Sequence, residues 1–100
     1  MKFESFTKMV EVKFIRIDGY EFEKGLLYET IEMLDNQTKA DDSYGDYSVR
    51  EYEIPDYETM KNLVALGIVK NYTGPRMAKC YCIKDNETFK EFKEKIYALD

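Results

Sequence analysis

Apolar positions along the chain fall at helical spacing in three places. Over Glu21–Asn36, Leu27, Ile31 and Leu34 make one stripe. Tyr20 extends it, Leu26, Thr30 and Met33 widen it, and Glu29, Glu32 and Asp35 face outward. Gly25 costs about 1 kcal/mol inside a helix and offers a later start. Pro55 and Asp56 open a second helix, whose stripe runs through Tyr57, Met60, Leu63 (with Val64) and Gly67. It is expected to run to about Leu66 and to be terminated by Gly67. A third follows the cap Asp85-Asn86, burying Phe89, Phe92, Ile96 and Leu99 and leaving Lys90, Glu91, Lys93, Glu94 and Lys95 wet.

Between and before these lie strand patterns. Ile68–Tyr72 is expected as a strand, Thr73–Arg76 as a turn and Met77–Lys84 as the antiparallel partner. Residues 9–17 alternate and are β-branched, which favours a strand. Phe3, Phe6, Val10, Phe14 and Ile17 recur at threes and fours, so a helix is the close alternative. Asp18-Gly19 ends either one as a turn. Residues 37–47 (QTKADDSYGDY) are a polar loop. Ser48–Ile54 fits either a short helix or a strand.

Charge changes the picture. The chain carries a formal −5 over 100 residues, but unevenly. Asp18–Glu58 holds thirteen acids against three bases; Thr59–Lys84 holds five bases (Lys61, Lys70, Arg76, Lys79 and Lys84) and no acid. The 44% apolar content, with nine Tyr and six Phe, is too rich for a disordered chain of this length and sets the expectation of a single domain over residues 1–100.

Several chemistries drop out. Histidine is absent, which removes Ser-His and Cys-His nucleophilic pairs and histidine metal ligands. Cys80 and Cys82 lie two apart, on one face of a strand, where mutual disulfide geometry is disfavoured. Without a further Cys or His pair they make no zinc site, and reduced thiols of a cytoplasmic protein are the expectation. Asp41, Asp42 and Asp46 lack the spacing of a calcium loop. No signal-peptide core and no apolar run of membrane-span length is visible. The chain is expected to be non-enzymatic, without metal or cofactor.

The stretch SVREYEIPDYETMKNLVALGIVKN followed by YTGPRMAKCYCIK resembles a winged helix-turn-helix, with Leu63, Leu66, Gly67, Ile68 and Val69 at the junction between recognition helix and wing. The resemblance spans about residues 21–99. It implies an α+β domain with a winged-helix-like core over 21–84, made of a helix-turn-helix centre and a hairpin wing, and a C-terminal helix over 86–99. Residues 1–17 would be an N-terminal strand or a dimerising arm. What it implies functionally is a DNA-binding regulator of transcription. Asp56, Tyr57 and Glu58 occupy the start of the recognition helix, where base-reading proteins place Arg, Asn or Gln. Nucleic-acid contact would therefore be to phosphates, through Lys61, Lys70, Arg76, Lys79 and Lys84, with Asn62 and Asn71 beside them. If all five met phosphates, affinity would fall about 10²–10³-fold between 50 and 200 mM salt.

The acidic half supports the opposite reading. Acids alternating with Tyr44, Tyr47, Tyr52 and Tyr57 can imitate DNA toward a basic groove, as small phage or mobile-element inhibitors of nucleases do. Asp41, Asp42, Asp46, Glu51 and Glu53 are then the partner-binding residues, and a nucleic-acid-handling protein is the partner. A homodimer is compatible with both readings, because the basic stripe can neutralise the acidic half within one molecule or between two.

Overall fold

The hairpin around Asp18-Gly19 sets the first half of the fold. Both residues take positive φ (47° and 90°), the backbone of a two-residue turn whose twist matches that of the strands it joins. The chain therefore reverses at once, and Tyr20–Glu23 (β3) pairs with Phe14–Ile17 (β2), Ile17 opposite Tyr20 and Ile15 opposite Phe22. Ile15, Ile17 and Phe22 are buried; their neighbours Phe14, Arg16, Glu21 and Glu23 are exposed. Phe6–Lys8 (β1) adds a third antiparallel strand against β2. The computed structural model describes residues 6–8, 13–40, 47–73 and 77–99. The strand expected over 9–17 is thus found at 14–17, and residues 9–12 lie outside the described residues.

Helix α1 is Lys24–Gln37, not Glu21–Asn36, because hairpin pairing claims residues 20–23 and turns Tyr20 outward. Glu23 caps it by accepting from the Gly25 amide at 3.1 Å, so Gly25 does mark the late start. Leu27, Ile31 and Leu34 are fully buried. The Thr38 hydroxyl and amide both donate to the Leu34 carbonyl and close the helix. Beyond it the Lys39 amide donates to Tyr47 O at 3.0 Å, bringing the two ends of the polar loop together.

Ser48–Ile54 divides between the two expectations. Val49–Arg50 is a strand (β4) and Glu51–Glu53 a single 3₁₀ turn. Helix α2 follows at Tyr57–Ala65, with the Thr59 amide and hydroxyl both donating to Asp56 (2.9 and 2.8 Å). It ends in a Schellman motif: Gly67 N–H donates to Val64 O and Ile68 N–H to Leu63 O, both at 3.0 Å, with Gly67 at φ 82°. Strands β5 (Val69–Thr73) and β6 (Lys79–Ile83) then pair, Asn71 opposite Tyr81. Residues 74–76 of the expected turn lie outside the described residues. Helix α3 (Asn86–Ala98) repeats the capping device of α2, with the Thr88 amide and hydroxyl donating to Asp85.

Strand β4 pairs with β6 on the side away from β5, giving the sheet order β4-β6-β5. Side chains alternate along a strand, yet Cys80, Tyr81, Cys82 and Ile83 are all buried, so β6 is covered on both faces. Tyr81, Ile83 and Val69 join Ile15, Ile17 and Phe22 of the other sheet in one core, with Leu27, Ile31 and Leu34 (α1), Met60 and Leu63 (α2), and Phe89, Phe92 and Ile96 (α3). Each such side chain contributes about 1.5–3 kcal/mol by leaving water. Polar contacts fix α3 against α1: Lys93 pairs with Asp35 at 3.1 Å, and the Tyr28 hydroxyl donates to Ile96 O at 3.4 Å. Among the described residues this is a small α+β domain of three helices and two three-stranded antiparallel sheets.

Candidate functional site

The constellation begins with a sequence pattern, acid-Tyr-acid, that occurs twice five residues apart: Glu51-Tyr52-Glu53 and Asp56-Tyr57-Glu58. The first is the 3₁₀ turn, the second the cap and first turn of α2. Ile54 and Pro55 separate them in the chain, and Glu51 of the first and Tyr57 of the second both act on the Tyr81 hydroxyl. Acids at the start of α2 are favoured by the helix dipole, so the fold gains from the feature that weakens a base-reading role.

Tyr81 of β6 ties the two motifs together. It is 5% exposed, and the Glu51 carboxylate and Tyr57 both act on its hydroxyl electrostatically. Burial, then the Glu51 charge, then Tyr57 push its pKa above the ordinary tyrosine value of 10.0. Glu51 and Tyr57, one from each motif, thus lie within electrostatic reach of the same hydroxyl. Glu53 accepts from the Arg50 amide at 3.3 Å, which orders the 3₁₀ turn from its other end.

Tyr52 and Tyr57 serve no core purpose. They are 81% and 55% exposed, and the sequence stripe that placed Tyr57 with Met60 and Leu63 is corrected here, since only the latter two are buried. Two large amphipathic rings held at the surface among four carboxylates is a composition suited to contact: tyrosine supplies area at low rotamer cost, and the acids supply sign.

The cations do not assemble into one face. Lys79 lies 3.9 Å from Glu51, both side chains well exposed. Such a pair contributes about 0–1 kcal/mol, but it places one basic residue inside the acidic surface. Lys61 is exposed on α2 one turn beyond Tyr57, bordering the same surface. Lys70 pairs across from Cys82 and approaches the Tyr72 ring (6.0 Å to its centroid), on the face of the sheet opposite to the one Lys79 occupies. Lys84 sits just past the other end of β6, about 17 Å from Lys79 at strand rise. Of the two asparagines read beside these cations, Asn62 donates to Glu21 O at 3.3 Å and Asn71 is exposed on β5.

Of the acids expected to bind a partner, Glu51 and Glu53 are brought together as described; Asp41, Asp42 and Asp46, like Arg76 among the cations, lie outside the described residues. Asp56, Tyr57 and Glu58, which belong to the acidic half but are not among the expected partner-binding residues, enter the site here. The doubled acid-Tyr-acid motif was the signal that joins them to Glu51–Glu53. Among the described residues no group of three or more acids and cysteines is placed to hold a metal ion, and no helix is long and apolar enough to cross a membrane.

Fold and site together define a class: a small α+β domain whose distinctive chemistry is a surface of paired carboxylates and tyrosines. Comparisons with protein-family models, curated proteins and solved structures returned no match to this chain.

Proposed function

We infer that the chain is a non-enzymatic binding protein that docks a basic partner, such as a nucleic-acid-handling protein, through the surface Glu51–Glu58. The observation that carries this reading is the exposure of Tyr52 and Tyr57 between Glu51, Glu53, Asp56 and Glu58. Carboxylates at such a surface take the place of phosphates against a basic groove, and the two rings add the apolar contact that charge alone lacks. An inhibitor or adaptor of a nuclease fits this description. The test is capture of a partner from cell extract, followed by titration of the purified partner. Tyr52→Ala with Glu58→Lys should weaken binding at least tenfold and leave the fold intact. Unchanged affinity in that variant would sink the reading.

A second reading rests on the order of elements. Helix α1, strand β4, the 3₁₀ turn, helix α2 and the β5–β6 hairpin follow one another as in a winged helix whose helix before the recognition helix is reduced to a single turn. Sheet order β4-β6-β5 agrees with it. In this reading Lys70 and Lys79 contact phosphates from the wing, with Lys61, Arg76 and Lys84 adding charge. Duplex DNA would then shift in a gel at about 50 mM salt and be released by about 200 mM. Absence of a shift at the lower salt rejects it.

A further inference from the structure

Three large apolar side chains reach furthest into solvent: Met77 (83% exposed), Tyr52 (81%) and Tyr57 (55%). They gather around Glu51. Tyr52 is its neighbour in the chain, and Tyr57 acts with it on the Tyr81 hydroxyl. Met77 is two residues from Lys79, whose ammonium lies 3.9 Å from the Glu51 carboxylate. Two peptide units span at most about 7 Å. Met77 also holds φ 63°, a left-handed conformation that suits glycine and strains a residue with a Cβ. Burial does not explain a methionine there, and backbone geometry disfavours it. An apolar side chain kept in solvent against its conformational preference points to contact with another molecule.

The rim of this patch defines its occupant. Of the four carboxylates, Glu53 and Asp56 are half-buried and already accept from the Arg50 and Thr59 amides. Glu51 and Glu58 are exposed, and each adjoins one of the exposed rings, Tyr52 or Tyr57. A guanidinium uses both parts of such a couple: its plane stacks on a ring while paired N–H groups bond a carboxylate. An ammonium is a compact, strongly hydrated charge with no plane to stack. Lys79 does not close the site, because at 3.9 Å its ammonium pairs with Glu51 without a hydrogen bond. We propose that the patch of Tyr52, Tyr57 and Met77 receives an arginine-bearing segment of a protein partner and discriminates it from a lysine-bearing one. Guanidinium groups take the Glu51–Tyr52 and Tyr57–Glu58 couples, Met77 packs on the segment's apolar atoms, and Lys79 is displaced from Glu51. This rests on the reading of Glu51–Glu58 as a basic-partner surface and adds which basic side chain it recognises.

Two labelled peptides of equal length and charge, with arginines or lysines spaced by Gly-Ser, are titrated with the wild-type chain by fluorescence anisotropy. The arginine peptide should bind at least about tenfold more tightly. Tyr52→Leu keeps apolar area but no aromatic face, and should cut the arginine preference severalfold. Met77→Gly should weaken the arginine peptide severalfold while the urea midpoint holds or rises, which separates lost binding from lost fold. Equal affinity for the two peptides overturns the inference and leaves the basic-partner reading standing. An arginine preference and affinity unchanged in both variants overturns it in the same way. Binding of neither peptide at about 50 mM salt rejects that reading, and the inference with it.

Discussion

At the residue scale, four positions carry conformational or electrostatic work that no neighbour can take over. Gly67 holds φ 82° in open space, with no atom within 4 Å of where a Cβ would stand. Replacing it therefore strains the backbone without any clash. Gly67→Ala is expected to destabilise by about 1–2 kcal/mol, read from urea unfolding. Asp56 and Asp85 each accept from an amide and a hydroxyl three residues on, and alanine at either should remove about 1 kcal/mol. Tyr81 sets a pH dependence. Its folded pKa lies above the 10.0 of the unfolded chain, so its stabilising contribution is complete below pH 10. The contribution is lost as pH rises through the folded value, because the unfolded chain gives up that proton first. Tyr81→Phe should flatten this part of the alkaline stability curve and remove the late-ionising tyrosinate from an absorbance titration. An unchanged titration would show that Tyr81 is not the shifted group.

At the scale of elements, legibility followed the source of each element's stability. Helices α2 and α3 were readable because cap, stripe and stop are all local, and Asp56, Gly67 and Asp85 occupy the places their chemistry demands. The start of α1 was misplaced because residues 20–23 satisfy two patterns. The choice between them is made by pairing with β2, which a helical window does not contain. Val49–Arg50 was undecided for a related reason: two residues become a strand only by meeting Tyr81 and Cys80, some thirty positions later. The site was half legible. Its acids were counted correctly, but where Glu51–Glu53 sit depends on β4 pairing with β6, a contact some thirty positions away in the chain. Packing of α3 is expected to dominate stability. Phe92 is fully buried between elements, and Phe92→Ala should cost about 3–5 kcal/mol by calorimetry or urea, a large part of the reserve of a domain this size.

At the scale of the whole molecule, the division of charge along the chain is not a division in space. Strand β4 and the 3₁₀ turn come from the acidic half and flank β6 from the basic half, so Lys79 and Glu51 meet. Lys79→Glu should consequently deepen the negative potential around Tyr52 and Tyr57 and speed association with a basic partner several-fold at low salt, an effect lost near 0.5 M salt in stopped-flow measurements. The shortness of β4 has a further, kinetic consequence. The β2–β3 and β5–β6 hairpins close over a few residues and should form early, whereas β4 must wait for a loop of about thirty residues to close. Two residues of ladder are also the first to reopen. Arg50 and the turn behind it should therefore exchange their amides through an opening far smaller than global unfolding. The carboxylates and rings of Glu51–Glu58 would then be in register only when the last-formed strand is seated, which couples presentation of that surface to completion of the fold.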